Sequence, residues 1–194
     1  YAMVSSNGFP NIGYTAAFEF ETLEENKKLE PIIAQGIADF ETVYGYAPKV
    51  FNSPGGREHP AIHEYLRKNG IRYIETPFFK TEHQGGGTYK KVLNFTGKRN
   101  ALNMIYSVRN VVFEPTFESS FSWVDFTMNQ IETAFFWNKP AIISSHRVNF
   151  CGHIEPSNRT AGLLALGELL KKITLKYPNV EFMGLGKLLE TLFE

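Results

Sequence analysis

The sequence has little cysteine, no net charge and no long apolar run. It contains one cysteine, Cys151, among 194 residues, which excludes an intramolecular disulfide and a zinc site built from several cysteines. Twenty basic residues balance twenty acidic ones, so bulk charge favours neither nucleic acid nor a membrane surface as a partner. No apolar run approaches the roughly 18 residues of a membrane span. We therefore expect no nucleic-acid partner and no membrane span.

Neither a signal-peptide pattern nor an internal repeat is recognisable in the sequence. The first residues, Tyr1 to Ser6, have neither the basic nor the apolar region of a signal peptide, which slightly favours the cytoplasm. No segment of about 20 to 50 residues repeats, which argues against a solenoid or propeller. Hydrophobic residues make up 43% of the chain, as in ordered globular proteins. One domain spanning 1–194 is expected, with its oligomeric state open.

What the sequence does contain is an alternation of helix and strand patterns. Apolar residues recur at helical spacing in several stretches, and short β-rich runs lie between them. In the helix at 157–176, the pattern predicts that Leu163, Leu166, Leu170 and Ile173 face inward. Helices are predicted at 29–44, 60–69, 121–137, 157–176 and 185–193. Strands are predicted at 49–52, 71–75, 110–114, 141–145 and 180–183.

The stretch 80–109 breaks this alternation. It has no clean period and contains three consecutive glycines, Gly85 to Gly87, so we interpret it as a long insertion in which a hairpin is one possible arrangement. Six basic residues and one acidic residue fall within it. Such a stretch forms either a solvated basic face or a patch that binds an anionic polymer or stacks on sugars.

Strands alternating with helices predict an α/β fold, with a parallel sheet covered by helices. A complete eight-unit barrel needs about 250 residues, more than this chain has. The predicted fold is therefore a partial or distorted (β/α) barrel with a parallel sheet.

Polar side chains stand at the ends of the predicted strands, where parallel α/β folds place their ligands. These residues are Asn52, Glu75, Glu114 and His146. His146 follows a buried strand, and an imidazole at this position serves as a general acid or base. The alternative is a histidine that only hydrogen-bonds at a strand end.

The turn from Asn52 to Arg57 follows another strand. Its glycines, Gly55 and Gly56, allow backbone amides to approach a ligand and to donate to an oxyanion. The alternative is a plain connection between two elements.

Two histidines and an aspartate allow both a functional and a structural interpretation. His59 and His63 are four residues apart, as in some zinc sites on helices, but we expect His59 at the helix start and His63 on its solvated face. Asp125 lies three residues after Ser122 at the start of a helix, which indicates a cap. In the functional interpretation, Asp125 orients His146.

Four stretches together resemble the polysaccharide deacetylase (NodB-type) superfamily, in a divergent branch of bacterial deacetylase-like proteins. The resemblance covers about 37–192. The stretches are 44–55 (YGYAPKVFNSPG), 68–71 (KNGI), 139–146 (KPAIISSH) and 177–183 (YPNVEFM).

The resemblance implies a distorted (β/α) barrel that removes acyl groups from N-acetylated or O-acetylated sugars, with a divalent metal such as zinc in the complete family domain. The late histidine of the family, which protonates the leaving group, falls on His146, and Asp125 lies in the region of the acid that tunes it. These two are the catalytic candidates. The substrate-binding candidates are Asn52, Pro54, Gly55, Arg57 and Arg147.

The chain departs from the family pattern at several positions. Asn52 replaces the arginine of the proline motif and Gly55 its tyrosine, with Arg57 as a substitute guanidinium, while Arg147 stands where the family often has aspartate. The early aspartate pair and the histidine metal motif do not occur between Tyr1 and Val50. No metal ligand is therefore assigned, and the chain is interpreted as the C-terminal part of a larger barrel.

The resulting prediction is a deacetylase-like hydrolase that acts on carbon–nitrogen or ester bonds of acylated carbohydrates. The alternative is a catalytically inactive glycan-binding or structural domain derived from that family. In either case the predicted partner is an acetylated oligosaccharide or polysaccharide.

Overall fold

The structure is a computed structural model that describes residues 18–118 and 120–194. The first residues of the sequence, which carry no signal-peptide pattern, lie outside the described residues. Their contacts form two compact units: unit 1 combines the chain up to Val108 with Gly184–Glu194, and unit 2 is Arg109–Met183. Among the described residues, no helix is both long and apolar enough to cross a membrane.

Short strands alternate with helices along the chain. The helices are α1 (Leu29–Tyr44), α2 (His63–Lys68), α3 (Trp123–Phe136), α4 (Pro156–Lys176) and α5 (Leu185–Phe193). The strands are β1 (Val50–Asn52), β2 (Tyr73–Glu75), β3 (Phe79–Gly85), β4 (Thr88–Leu93), β5 (Ile105–Ser107), β6 (Val111–Val112) and β7 (Ile143–Ser144).

Unit 1 is built on a parallel sheet with the strand order β1-β2-β5. Tyr73 pairs with Val50 on one side and with Ile105 on the other. A buried cluster that includes Ile62, Leu66 and Ile74 forms its core. The sheet is buried on both faces because helices cover it, as parallel sheets require.

A β-hairpin of β3 and β4 also belongs to unit 1, and it lies in the stretch interpreted as an insertion. The two strands pair antiparallel from Phe79–Leu93 to Gly85–Thr88. Strand β5 falls within the same stretch but belongs to the parallel sheet, which the sequence analysis did not predict. Three residues, Ile-Tyr-Ser, are too few to show a strand period, so only the pairing with β2 identifies β5.

Unit 2 pairs β6 with β7 in parallel and packs α3 against α4. Its core contains Val111, Phe113, Ile131, Leu169 and Ile173. Of the residues predicted to face inward from α4, Ile173 is buried and Leu166 packs against this core, whereas Leu163 and Leu170 are exposed and Leu169 is buried instead.

The fold prediction is confirmed as a mixed α/β fold with a parallel sheet, which has three strands. The described strands form no closed barrel, because they divide into one sheet of three strands and two pairs. The predicted strand at 180–183 is wrong: this segment has no ladder partner among the described residues, and Glu181, Phe182 and Met183 are exposed. The predicted helices are present, and α1 ends at Gly45, whose φ of +75° suits glycine.

Candidate functional site

Unit 2 brings together two of the strand-end residues, Glu114 and His146. Glu114 follows β6 and His146 follows β7, and these neighbouring strands run parallel, so their carboxyl ends meet. The Nδ1 atom of His146 lies 2.7 Å from Oε1 of Glu114. The backbone N–H of His146 also donates to this oxygen, at 3.1 Å. Two bonds thus hold the imidazole against the carboxylate.

The two side chains of this pair differ in exposure. The side chain of His146 is 76% exposed and that of Glu114 is 15% exposed. Among the described residues, none hydrogen-bonds to Nε2 of His146. The pair therefore consists of a partly buried carboxylate and an imidazole whose outer nitrogen is accessible, which is the arrangement of a general acid or base.

Asn149 completes this site, although no sequence pattern predicts it. Its Nδ2 donates to Oε2 of Glu114 at 2.7 Å, so both carboxylate oxygens of Glu114 have partners. Asn149 is fully buried in the 3-10 turn Arg147–Asn149 that follows β7. An asparagine in a loop gives no pattern that could have identified it from the sequence. Arg147 is exposed at the start of the same turn.

Asp125 lies elsewhere in unit 2 and does not contact His146. It lies in the first turn of α3, where it accepts from Ser122 Oγ and from Lys172 Nζ, both at 2.7 Å. These two donors lower the pKa of Asp125. The prediction that Asp125 orients His146 is therefore wrong. The carboxylate that contacts His146 is that of Glu114, whereas Asp125 links α3 to α4.

Unit 1 pairs the other two strand-end residues. Asn52 and Glu75 are in register at the ends of β1 and β2, and Asn52 Nδ2 donates to Glu75 Oε1 at 2.6 Å. The turn that follows is the 3-10 segment Pro54–Gly56. Gly56 is required there, because a Cβ would lie 2.7 Å from the Pro77 ring and φ is +63°.

Arg57, the proposed substitute guanidinium, has contacts within unit 1. Its Nη1 lies 2.7 Å from Oε1 of Glu19, and its guanidinium carbon lies 5.4 Å from the centre of the Tyr89 ring. Glu19 also accepts from the Tyr89 hydroxyl at 3.0 Å. Glu19 and Tyr89 therefore hold the Arg57 guanidinium in place, directly after the turn Pro54–Gly56.

Behind this turn lies a buried group of charged side chains centred on Glu58. Lys80 Nζ donates to Glu58 Oε1 at 2.6 Å, and Ser53 Oγ donates to Glu58 Oε2. Burial alone would raise the pKa of Glu58. The neighbouring His63, Lys80 and Ser53 have a larger, opposite effect and lower this pKa to about 2. A carboxylate with this pKa stays ionised and pairs with Lys80.

The two histidines of this region have different environments. His59 lies at the helix start, as predicted, and its Nδ1 accepts from the backbone N–H of Ala61 at 3.1 Å. The prediction that His63 lies on a solvated face is wrong, since His63 is only 2% exposed. Its Nδ1 is 3.1 Å from Asn100 Nδ2, and its Nε2 is 3.8 Å from Glu58, too far for a hydrogen bond.

The described residues do not fit the divalent metal that the resemblance implies. Among them there is no group of three or more histidine, cysteine, aspartate and glutamate side chains that could hold a metal ion. Nδ1 of His59 and Nδ1 of His63 are occupied by Ala61 and Asn100. No chemical step is therefore derived through a metal.

Comparison with known proteins gives no assignment. No protein-family model matches the chain, and no curated protein shows significant similarity to it. The deacetylase resemblance therefore rests on the four sequence stretches and stays a prediction.

Proposed function

We propose that the chain is a deacetylase-like carbohydrate hydrolase in which His146 is the proton-transfer residue. The observation that carries this proposal is the 2.7 Å contact between Nδ1 of His146 and Oε1 of Glu114, with the opposite side of the ring exposed. The residue types suit hydrolysis of an amide or an ester, because both reactions need a proton at the leaving atom.

His146 and Glu114 have different roles in the proposed reaction. Water adds to the acyl carbon, the carbon–nitrogen or carbon–oxygen bond breaks, and the products are the free carboxylic acid and the sugar amine or hydroxyl. Nε2 of His146 takes a proton from the attacking water and then gives it to the leaving nitrogen or oxygen. Glu114 holds the ring at Nδ1 and stabilises the imidazolium, as the carboxylate of a catalytic triad does.

The substrate is an acetylated oligosaccharide or polysaccharide in this proposal. Its basis is the sequence resemblance to the family and, within unit 2, the position of Arg147 directly after His146.

A second candidate is a glycan-binding domain without turnover. Phe136 and Trp137 are exposed at the end of α3, and Trp137 is 67% exposed. A groove of about 740 Å³ extends from Trp137 past the amides of Asn129 and Gln130. An aromatic face beside amide groups has both an apolar and a polar component, and sugars match both.

The test is acetate release from N-acetylated chitooligosaccharides and O-acetylated xylooligosaccharides. Replacing His146 with Ala removes the proton-transfer group, and we expect kcat/KM to fall about 10²- to 10⁴-fold. His153→Ala is the matched control, because His153 is an exposed loop histidine of the same unit, and it should retain full activity.

Titration calorimetry with the same oligosaccharides distinguishes the two candidates. Binding without acetate release by the wild-type chain would favour the glycan-binding domain, and Trp137→Ala should then weaken binding. Equal activity of His146→Ala and wild type on every substrate would show that the proton-transfer assignment is wrong.

A further inference from the structure

Asn149 has an amide orientation that its neighbours determine. The backbone N–H and the hydroxyl of Thr116 both point at its Oδ1, at 3.2 Å and 2.8 Å. A backbone N–H can only donate, so the atom that it faces must be the amide oxygen. The Nδ2 group of Asn149 is therefore the side directed at Glu114.

The orientation of the Asn149 amide also determines which carboxylate oxygen of Glu114 faces His146. Nδ2 of Asn149 occupies Oε2 of Glu114 at 2.7 Å. Oε1 is left to face Nδ1 of His146 at 2.7 Å and the backbone N–H of His146 at 3.1 Å. An ionised carboxylate only accepts, so Nδ1 of the neutral imidazole must carry the hydrogen, and Nε2 presents a lone pair to solvent.

Helix α4 holds Asn149 in place from the other side. A Cβ built on Gly162 would lie 1.7 Å from the backbone oxygen of Asn149, so the helix backbone packs directly on this residue. Gly167, in the same helix, has no atom within 4 Å of such a Cβ. The close contact is thus specific to the point where α4 meets the turn.

We infer that Asn149 is a positioning residue: packed against Gly162 of α4, it orients Glu114 so that His146 is held as the Nδ1–H tautomer with Nε2 outward. Histidine in water prefers the opposite tautomer, so the pair depends on this support. The inference rests on the proposed function only in that it concerns the same pair. An imidazole prepared in this way takes a proton at Nε2 and later returns it, as hydrolysis requires.

The experiment is a long-range ¹H–¹⁵N spectrum of the full chain with labelled histidine, recorded in alkaline buffer where the ring is neutral. In the wild type we expect His146 mainly as the Nδ1–H tautomer. His153, an exposed loop residue, should show the Nε2–H tautomer and serves as the internal reference. A wild-type spectrum in which His146 is mainly Nε2–H would overturn the inference without any variant.

Two variants test the role of Asn149 itself. Asn149→Asp keeps the shape but places an acceptor opposite Oε2 of Glu114, and Gly162→Ala pushes the turn away from α4. Both should make Nε2–H the major tautomer of His146, whereas the control Gly167→Ala should leave the tautomer unchanged.

The amide spectra of the remaining residues show whether each variant folds. If Asn149→Asp does not fold, Gly162→Ala decides, and if neither folds, the wild-type spectrum decides. A folded variant that still holds His146 as Nδ1–H would contradict the inference. No substrate is needed, so a lack of turnover would count against the proposed hydrolase alone, and folded variants that keep the Nδ1–H tautomer would count against the positioning role alone.

Discussion

Unit 1 contains an ion pair in its interior, where the burial of charged side chains costs free energy. Lys80 and Glu58 are both fully buried, and Nζ of Lys80 lies 2.6 Å from Oε1 of Glu58. The desolvation of two such charges is compensated only while both partners are present. The lysine of a hairpin strand is thereby tied to the loop that follows β1.

Replacing Lys80 with Met should therefore destabilise the protein by about 3–5 kcal/mol, because it leaves the Glu58 carboxylate buried without its cation. Urea unfolding of the variant measures this loss. Lys91→Met is the matched control, because Lys91 is exposed on the facing strand of the same hairpin, and its effect should stay within about 0.5 kcal/mol.

The double variant Lys80→Met/Glu58→Gln tests the cause. It removes the buried charge as well, so it should be more stable than Lys80→Met alone. A double variant whose loss equals the sum of the two single losses would show that the ion pair is not responsible.

The sequence located residues at the ends of strands but not their contacts. The strand-end rule selected four residues, and the structure pairs Asn52 with Glu75 and Glu114 with His146. It did not identify the partner of His146, because Asp125 was chosen from its place in the chain. The contact with Glu114 arises from the pairing of β6 with β7, and this pairing is not visible in either strand alone.

At the scale of elements, helix α4 shows how packing selects a face. Its leucines occur on several sides, so periodicity alone predicted Leu163 and Leu170 as inward. The structure buries Leu169 in their place, beside Ile173, which was correctly predicted as inward, against α3 and the core of unit 2. The close approach of Gly162 to Asn149 fixes the rotation of this helix, and that contact is tertiary.

Leu169→Ala should then cost about 2–5 kcal/mol, since it removes a fully buried side chain and leaves a cavity between α3 and α4. Thermal and urea unfolding measure the change. Leu164→Ala, in the same helix, removes an exposed leucine and should change the free energy of unfolding by less than about 0.5 kcal/mol. Equal losses for both variants would mean that the helix face has been assigned incorrectly.

At the scale of the whole molecule, the chain returns to unit 1 with its last helix. Helix α5 follows unit 2 in sequence, yet Leu189 packs with Tyr73 and Ile105 of the parallel sheet. Glu194 accepts from the Tyr73 hydroxyl at 2.8 Å. Burial and this carboxylate raise the pKa of Tyr73 to about 12. Unit 1 therefore includes two separate parts of the chain, the part up to Val108 and Gly184–Glu194.

Leu189→Ala should destabilise unit 1 by about 2–5 kcal/mol, because Leu189 is fully buried against strands β2 and β5. Hydrogen exchange of the amides of Tyr73 and Ile105 reports this unit specifically, and their protection should fall. Leu192→Ala alters an exposed position of the same helix and should leave that protection nearly unchanged. Unaltered exchange in Leu189→Ala would show that α5 does not support the sheet.

The sequence by itself determined the order and type of most elements, because helical periodicity, proline and glycine act over a few neighbouring residues. It also placed His146 and Glu114 at strand ends. The tertiary structure decided which strands pair, that β5 joins the parallel sheet, that His63 is buried, and that Glu114 rather than Asp125 holds His146. Apart from the β3–β4 hairpin, these outcomes depend on contacts between residues 23 or more positions apart, and local patterns contain no information about them.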